Sequence, residues 1–391
     1  MRDFVSKIAK EIKPSGIRKF FDIVAESKDV ISLGVGEPDF VTPWEIRDAG
    51  IQSIKKGYTQ YTSNKGMPLL REEISKYLKN FSVDFKSDDI IITVGASEAI
   101  DLCLRAVVDV GDEILIPDPS YVSYKPCVEL AGGIPVSIEC SGDNGFKLTP
   151  ENLEKCITKK TKALIFPYPN NPTGGVMERE FIEKIIPIIV KNDLLVIADE
   201  IYAELTYDGV HTSIASFDEL KDRVVLISGF SKSFAMTGWR IGYVCAPQSI
   251  LSAMLKIHQY TTICAPIFSQ YGALEGLKKG SSDNYKSVNE MRVEYNRRRR
   301  FMIDAFEKMG LKCFPPKGSF YIFPSVESLG LTGEEFATKL LETKKVAVVP
   351  GQAFGEFGKY YIRCSYAYSM KNLIEATDRI AQFVKELKDK K

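Results

Sequence analysis

The stretch LLVIADEIY (residues 194–202) joins an apolar run to polar side chains. Its first five residues are apolar without alternation, which is typical of a strand buried on both faces. Asp199 and Tyr202 follow at the carboxyl end of the run. A carboxylate next to such a strand is costly unless a cation meets it. The stretch therefore predicts a central strand of a covered sheet, with a polar site at its carboxyl end.

The same kind of run recurs on both sides of this stretch. Apolar strand candidates alternate with segments of helical period, and they are IIITV (90–94), EILIP (113–117), IPVSIE (134–139), KALIFPYP (162–169) and VVLIS (224–228). Short apolar strands that alternate with helices are typical of a mostly parallel sheet covered by helices. The sequence therefore predicts an α/β fold, with a large domain at residues 46–280.

The pattern changes beyond residue 280. A long charged helix precedes SFYIFPS (319–325), a helix capped at Thr332, the strands VAVVP (346–350) and YYIRCSY (360–366), and a final helix. This mixture predicts a smaller α+β domain at residues 281–391. Residues 1–45 are too few for a domain of their own, so we expect them to pack with the smaller domain.

The composition is that of an ordinary globular protein. Of 391 residues, 45% are hydrophobic and 26% are charged, and 52 basic against 51 acidic residues leave a net charge of +1. This balance gives no electrostatic reason to expect nucleic acid or an anionic membrane as a partner. No apolar run approaches the ~18 residues of a membrane span. The amino-terminal residues mix charges and contain no signal-peptide core, so we expect a cytoplasmic location.

Three features argue against other kinds of site. The two histidines, His211 and His258, are far apart in sequence, so no histidine-rich metal site is expected. The run NRRRR (296–300) lies in the long charged helix, where its arginines wrap around the axis. An ion-paired or solvated helix surface is therefore favoured over a nucleic-acid stripe. In GVGEPDF (34–40), Asp39 occupies the place of the third glycine of a dinucleotide fingerprint, which argues against such a fingerprint.

Polar groups, from side chains or from the backbone, follow the carboxyl ends of four predicted strands. In an open parallel sheet these ends meet at one edge, where ligands bind. In chain order, the residues are Gly95, Ala96, Ser97, Asn171, Asp199, Tyr202 and Lys232. Four strands that deliver polar groups to the same edge predict one shared site.

One part of this site suits an anion. The segment GASEAI (95–100) opens a helix with small residues, so its free backbone N–H groups and the Ser97 hydroxyl can hold a phosphate. Arg240 can neutralise the same phosphate through a bidentate contact. By itself the segment would be an ordinary strand-to-helix turn, so the phosphate hypothesis depends on its neighbours.

Another part suits a flat cationic ring. Lys232 lies among small residues in SGFSKSFAMTGWRIGY (228–243), where it can form an imine and carry a proton. Asp199 can pair with a protonated pyridine nitrogen, and Tyr121 in PDPSY (117–121) can stack on the ring. Each has a plainer alternative: a loop lysine, a helix cap and a core tyrosine.

Taken together, these motifs resemble the pyridoxal-phosphate-dependent aminotransferases of fold type I, class I/II, and among them the aspartate and N-acetyl-diaminopimelate aminotransferase-like members. The resemblance covers essentially the whole chain. It rests on SLGVGEPDF (32–40), YTSNKGMPLLRE (61–72), GASEAI (95–100), PDPSY (117–121), YPNNPTGG (168–175), ADEIYAEL (198–205), SKSFAMTGWRIGY (231–243), GSFYIFP (318–324) and YIRCSYA (361–367). It implies the fold type I transferase architecture and pyridoxal 5′-phosphate as the cofactor.

The resemblance also implies roles for the ring-binding residues. Lys232 would carry the cofactor as an internal aldimine and move a proton between the substrate Cα and the cofactor C4′. Asp199 would pair with the pyridine nitrogen, so that the ring acts as an electron sink. Tyr202 and Asn171 would hydrogen-bond the 3′ oxygen, and Tyr121 would stack on the ring.

The phosphate-binding and substrate-binding residues are implied in the same way. The residues implied to hold the phosphate are Gly95, Ala96, Ser97, Ser231 and Arg240, with Ser228 as a further candidate. Tyr61 would reach the phosphate of the neighbouring subunit, which implies a homodimer with shared active sites. Arg363 would clamp the substrate α-carboxylate, with Gly34 and Asn171 beside it.

The implied reaction moves the amino group of an L-amino acid to a 2-oxo acid, with 2-oxoglutarate as the expected acceptor. The same residues would serve a β-lyase or an aminocyclopropane-carboxylate-synthase-like enzyme, so this alternative stays open. A non-catalytic regulator of this fold would carry an amino-terminal DNA-binding domain, and the family pattern already begins at about residue 15. Aspartate-using members often have a lysine at the position of Ser97, which puts aspartate in doubt as the donor.

Overall fold

The computed structural model describes residues 2–14, 16 and 29–389. In these residues the strands are β1 Ile31–Ser32, β2 Ile90–Thr93, β3 Glu113–Asp118, β4 Ile134–Glu139, β5 Thr161–Phe166, β6 Leu195–Asp199, β7 Val224–Gly229, β8 Gly242–Cys245, β9 Tyr321–Ile322, β10 Val346–Ala347, β11 Val349–Pro350 and β12 Ile362–Ser365. The α-helices are α1 Lys7–Glu11, α2 Trp44–Lys55, α3 Pro68–Leu78, α4 Gly95–Val107, α5 Tyr124–Leu130, α6 Pro150–Cys156, α7 Arg179–Lys191, α8 Gln248–Thr261, α9 Ile267–Asp283, α10 Lys286–Lys308, α11 Gly333–Lys344 and α12 Met370–Lys388.

A seven-stranded sheet forms the centre of the larger body, in the order β2-β8-β7-β6-β5-β3-β4. Neighbouring strands from β7 to β4 are parallel, and β8 is antiparallel to both of its neighbours. The predicted mostly parallel α/β sheet is therefore confirmed. Because β8 is antiparallel to both β2 and β7, these two strands point in the same direction. The carboxyl ends of β2, β5, β6 and β7 consequently lie at one edge of the sheet.

Both faces of this sheet are buried. In β2, Ile90 and Ile92 belong to one apolar core and Ile91 belongs to the other, because successive side chains of a strand point to opposite faces. Residues of α3, α7 and α9 complete the first core, and residues of α4 and α8 complete the second. Burial on both faces is the physical reason why these strands are apolar without alternation.

A third apolar core belongs to the smaller α+β body. It gathers buried side chains from α10, α11 and α12, such as Phe306, Leu340 and Ile380, against β12. The three strands β11-β12-β9 form an antiparallel sheet, and β1 pairs in parallel with β10. Domain boundaries at residues 46 and 280 stay a prediction. Residues 1, 15, 17–28, 390 and 391 of the expected small domain lie outside the described residues.

The prediction of VAVVP (346–350) as a single strand is wrong. Its first half, β10, pairs with β1, and its second half, β11, pairs antiparallel with β12. Val348, between the halves, is buried like its neighbours. An apolar run reports burial and gives no information about which partner each half selects, so the division was not visible in the sequence.

The arginine run in α10 forms ion pairs, as expected. Arg298 bonds both carboxylate oxygens of Asp39, at 2.8 and 2.9 Å. Arg299 reaches Asp208 at 3.1 Å and also donates to the carbonyl oxygen of Pro316. Both arginines are almost fully buried. Their guanidinium groups are therefore engaged within the protein.

Candidate active site

A cavity of about 520 Å³ lies at the carboxyl ends of β2, β5, β6 and β7. Ten of the sequence-predicted residues line it, namely Ala96, Ser97, Tyr121, Asn171, Asp199, Tyr202, Ser231, Lys232, Arg240 and Arg363. Tyr321 and Arg363 belong to the smaller body, so the cavity lies between the two bodies. The shared edge predicted from the four strands is therefore a single concave site.

Lys232 follows β7 and points into this cavity. Its Nζ donates to the carbonyl oxygen of Gly36 at 2.7 Å and stands 5.9 Å from the ring centre of Tyr202. Burial lowers the pKa of Lys232 to about 8, and the charges of Arg363 and Arg240 act in the same direction. An amine in this state is partly neutral near physiological pH, which is what a nucleophilic lysine requires.

Asp199 is the last residue of β6 and is buried at the cavity wall. The hydroxyl of Tyr124 donates to its Oδ2 at 2.7 Å, and the backbone N–H of Ile201 donates to its Oδ1 at 3.2 Å. Burial raises the pKa of Asp199 above its ordinary value, against the effect of both hydrogen bonds. The bond to Ile201 matches the cap-like alternative, while the position at the wall also lets the carboxylate face a ligand.

The start of α4 is the part of the cavity that could hold an anion. Its N-cap residue, Val94, supplies no side-chain hydrogen bond to the first turn. Gly95 has a φ of +77°, and a Cβ added there would come within 2.7 Å of Arg240 Nη2. Uncapped backbone N–H groups, together with a guanidinium in contact with Gly95, favour a phosphate at this helix end.

Arg363 lies on β12, and its guanidinium is enclosed. It donates to the Asn171 side-chain oxygen at 2.9 Å and to the carbonyl oxygen of Gly34 at 2.5 Å. Its charged carbon stands 4.3 Å from the ring centre of Tyr321 and 4.7 Å from that of Phe354. The three predicted substrate-binding residues therefore lie together. The guanidinium thus lies against two aromatic rings, and the arginine fork is the group that can meet a carboxylate through two parallel hydrogen bonds.

Two tyrosines complete the wall. The hydroxyl groups of Tyr202 and Tyr321 are 3.0 Å apart. Burial raises the pKa of Tyr202 well above its ordinary value, so this hydroxyl stays protonated. Tyr121 contacts Tyr124 edge to face, with ring centres 5.5 Å apart. Tyr121 also lines the cavity, where a flat ligand could stack on its ring.

Some predicted residues do not line this cavity. Tyr61 is 79% exposed on the surface of the chain. The Ser228 hydroxyl donates to the carbonyl oxygen of Glu200 at 3.3 Å, so it is occupied in the sheet. Gly34 accepts a hydrogen bond from the lining residue Arg363, and Gly95 lies next to the lining residue Arg240. The roles of all these residues stay predictions.

Four lining residues with functional groups were not predicted: Glu37, Tyr124, Thr237 and Tyr321. Glu37 follows the predicted motif glycine Gly36, so a signal for it was present. Thr237 and Tyr321 lie inside the quoted motifs SKSFAMTGWRIGY and GSFYIFP, and Tyr124 lies three residues beyond Tyr121. Their residue types alone do not distinguish them from buried core residues.

The donor set of the cavity fits pyridoxal phosphate. A nucleophilic lysine, a buried carboxylate and an anion-binding helix end match the aldehyde, the ring nitrogen and the phosphate of that cofactor. On a mostly parallel covered sheet with a smaller α+β body, these features define a fold type I pyridoxal-phosphate enzyme. Among the described residues, no group of histidine, cysteine and acidic side chains could hold a metal ion.

Comparisons with known proteins agree with this class. A family model described as aminotransferase class I and II matches residues 28–380. A putative aminotransferase of Bacillus subtilis (strain 168) is 51% identical, with coverage of 98% of this chain and 99% of its own. An aspartate aminotransferase of Pyrococcus abyssi is 46% identical, with coverage of 96% and 97%. The crystal structure of an aromatic aminotransferase from Pyrococcus horikoshii OT3 superposes with a TM-score of 0.90 at 42% identity, over 95% of this chain and 99% of that one.

The chain therefore belongs to the class I and II aminotransferases. It is a pyridoxal-phosphate-dependent transaminase, which moves the amino group of an amino acid to a 2-oxo acid. The comparisons thus favour transamination over the lyase alternative. In the part of the chain that the structure describes, no helix is long and apolar enough to cross a membrane.

Proposed function

We propose that this transaminase acts on L-amino acids, uses 2-oxoglutarate as its amino acceptor, and works as a homodimer with shared active sites. The observation that carries the proposal is the convergence of Lys232, Asp199, Arg240 and Arg363 on one cavity. These four residues match, in this order, the aldehyde, the ring nitrogen and the phosphate of the cofactor and the α-carboxylate of an amino acid. The following paragraphs assign them their tasks.

Lys232 is proposed as the catalytic base and the point of attachment of the cofactor. Pyridoxal phosphate, when bound, supplies an electron sink for the charge that develops at the substrate α-carbon. The neutral Lys232 amine would take the proton from that carbon and give it up at the cofactor C4′, a task supported by its lowered pKa of about 8. The carbonyl oxygen of Gly36, 2.7 Å away, orients the Nζ atom.

The remaining cofactor-binding residues hold and orient the ring. Asp199 would face the ring nitrogen, Tyr202 and Asn171 would face the 3′ oxygen, and Tyr121 would stack on the ring. Their common position on the cavity wall supports these roles. The residues proposed to hold the phosphate are Gly95, Ala96, Ser97, Ser231, Arg240 and the partner subunit's Tyr61.

Arg363 is proposed to bind the α-carboxylate of the substrate. It is 3% exposed, so a carboxylate that reaches it leaves water and gains a strong charged hydrogen bond. Asn171 and the Gly34 carbonyl hold the guanidinium in place. Because Arg363 and Lys232 line the same cavity, a carboxylate on Arg363 would bring the substrate α-carbon toward Lys232.

An exposed apolar surface supports the homodimer. The large hydrophobic residues on it are Trp44, Ile51, Ile54, Tyr58, Tyr61, Tyr260, Ile263 and Phe268. They come from α2, the segment after it, and the junction of α8 with α9. These pieces lie together, since α2 packs along α9 and the Asn64 side chain donates to the carbonyl oxygen of Ile263 at 2.9 Å. An apolar surface of this kind is typical of a subunit interface.

The donor amino acid is the open part of the proposal. Similar proteins are named for aspartate and for aromatic amino acids, and Ser97 stands where aspartate-using members often have a lysine. A broad or biosynthetic donor range is therefore proposed. A cytoplasmic location also stays a prediction, which fractionation of cells would test.

A half-reaction with single amino acids tests the reaction and ranks the donors. The purified protein is loaded with pyridoxal phosphate, and single L-amino acids are added without any oxo acid. Transamination should convert the cofactor to pyridoxamine phosphate, measured chromatographically after acid release, and 2-oxoglutarate should reverse the conversion. Release of pyruvate and ammonia with an unchanged cofactor would contradict the proposal and favour a lyase.

A further inference from the structure

The hydroxyl group of Tyr124 is held against the Asp199 carboxylate. It donates to Oδ2 at 2.7 Å, while the Ile201 N–H donates to Oδ1. Tyr124 is 3% exposed and Asp199 is 6% exposed, and both line the cavity. Each carboxylate oxygen therefore has one fixed donor, and the two donors together set the plane of the group.

The surroundings of Asp199 make this hydrogen bond important. Burial is the largest influence on the pKa of Asp199 and raises it, and the neighbouring charge of Glu200 acts in the same direction. The Tyr124 hydroxyl, the Ile201 N–H and the Lys232 charge oppose that rise. Tyr124 itself stays a proton donor, because burial holds its pKa well above the ordinary value.

Tyr124 also belongs to the segment that carries the ring-stacking residue. Tyr121 precedes it by three residues, and the two rings meet edge to face with their centres 5.5 Å apart. The neighbouring hydroxyl groups of Tyr121 and Tyr202 also raise the pKa of Tyr124. Tyr121, just before α5, would thus supply a face for the cofactor ring, and Tyr124, the first residue of α5, supplies a donor for the Asp199 carboxylate.

We propose that Tyr124 is a positioning residue that keeps Asp199 ionised and aligned toward the ring nitrogen of the cofactor. The proposal rests on the role proposed above for Asp199. A neutral carboxyl group cannot form an ion pair with a protonated ring nitrogen. Loss of the Tyr124 hydroxyl should therefore weaken cofactor binding most at the pH values where Asp199 takes up a proton.

The test measures the dissociation constant of pyridoxal phosphate from the apo protein, for the wild type and Tyr124→Phe, at several pH values. The ratio of the two constants removes the titration of the cofactor itself. We expect a ratio that is constant at high pH and rises as the pH falls, by up to about tenfold per unit over about one to two pH units. A ratio independent of pH would overturn the proposal.

Tyr77→Phe is the matched control. The Tyr77 hydroxyl donates to Glu204 Oε1 at 2.6 Å, Tyr77 is 8% exposed, and burial raises the pKa of Glu204. Neither residue lines the cavity. The control removes the same oxygen atom from the same kind of pair, so its ratio should stay flat. An equal slope in Tyr77→Phe would mean that the effect is only structural and would also overturn the proposal.

Two further variants separate this proposal from the role of Asp199. If Asp199→Asn binds pyridoxal phosphate as tightly as the wild type at every pH, the role proposed for Asp199 fails, and the Tyr124 proposal fails with it. If Asp199→Asn binds weakly while Tyr124→Phe shows a flat ratio, only the Tyr124 proposal fails. When Tyr124→Phe is added to Asp199→Asn, the ratio of the dissociation constants of the double and the single Asp199→Asn variant should not depend on pH. Thermal unfolding of each apo variant verifies that it is folded.

Discussion

At the scale of single residues, Lys232 shows how burial changes the chemistry of a side chain. Its amine is close to Tyr202 and Phe320 and donates to a backbone carbonyl oxygen. This setting penalises the charged form, so the pKa falls to about 8. A lysine in a solvated loop, the plainer alternative for this residue, would keep its charge. The lowered pKa gives a direct prediction for the rate of cofactor attachment.

We expect the attachment of pyridoxal phosphate to the apo protein to accelerate with pH and to level off above about pH 8. Only the neutral amine is nucleophilic, so below that pH the rate should fall about tenfold per unit. The measurement is borohydride trapping, followed by mass spectrometry of the Lys232 peptide. Lys232→Ala, which should keep the unfolding temperature and lose turnover, is the control. A rate that continues to rise as far as pH 10.5 would contradict the prediction.

Arg363 provides the second prediction at this scale. In Arg363→Lys, the planar fork that meets a carboxylate is lost while the charge remains. We expect kcat/KM for the amino donor to fall about 10- to 100-fold, mainly through KM, because one or two charged hydrogen bonds are lost. The affinity for pyridoxal phosphate should change little.

Arg379→Lys is the matched control for Arg363→Lys. Arg379 also donates to a backbone carbonyl oxygen, that of Lys344 at 3.2 Å, but it lies on α12 away from the cavity. Its replacement should leave kcat/KM unchanged. Equal losses in the two variants would mean that Arg363 does not bind the substrate.

At the scale of secondary-structure elements, the start of α4 is the place proposed for the phosphate. The helix begins immediately after β2 and lacks a capping side chain. A Cβ added at Gly242 of β8 would come within 2.7 Å of the Ala96 nitrogen. Glycine at 242 and at 95 therefore lets β8 and Arg240 approach the first turn of the helix closely. A single added methyl group should disturb this arrangement.

Gly95→Ala should weaken the binding of pyridoxal phosphate about tenfold or more, because the new methyl group displaces Arg240 from the phosphate. It should also destabilise the protein by about 1 kcal/mol, since φ is positive at this residue. The control is Gly111→Ala, where φ is +92° and nothing lies within 4 Å of an added Cβ. That variant should lose similar stability with no loss of cofactor affinity. Equal affinity losses, measured by equilibrium dialysis, would exclude a local effect at the helix start.

At the scale of the whole molecule, the cavity depends on two bodies meeting correctly. Arg363 from the smaller body reaches Asn171 of the larger one, and Gly355 packs directly on the buried carboxylate of Asp118. Tyr61 and the other residues of the exposed apolar surface do not line the cavity of their own chain. A second copy of the chain is proposed to cover that surface and to bring its own Tyr61 to the phosphate.

Mixed dimers test this sharing of sites. Lys232→Ala and Tyr61→Ala homodimers should each be impaired at limiting cofactor, since every site lacks one required residue. A hybrid dimer should contain one site with both residues intact. After random exchange, activity should recover to about a quarter of the wild-type value, because half of the dimers are hybrids with one good site each. Absence of recovery in dimers verified by native mass spectrometry would contradict shared sites.

The sequence by itself determined the class of fold and most of the cavity. The apolar strands are long enough and uniform enough to be visible, because burial on both faces leaves no place for polar residues. The carboxyl ends of such strands are also predictable, which is why Asn171, Asp199 and Lys232 were found together. Their spacing within the chain reflects a repeated strand–helix unit, which a sequence records directly.

Only the tertiary structure decided which more distant residues contact one another. β8 is a short antiparallel strand, VAVVP divides between two sheets, and Tyr124 meets Asp199 across 75 positions of sequence. The sequence contains each of these residues but not their partners. Local periodicity reports whether a side chain is buried, while a pairing between separate elements depends on how the packed elements are arranged in space. The pKa values of Lys232 and Asp199 were also decided only by the tertiary structure, because they depend on burial and on neighbours that exist only in the folded chain.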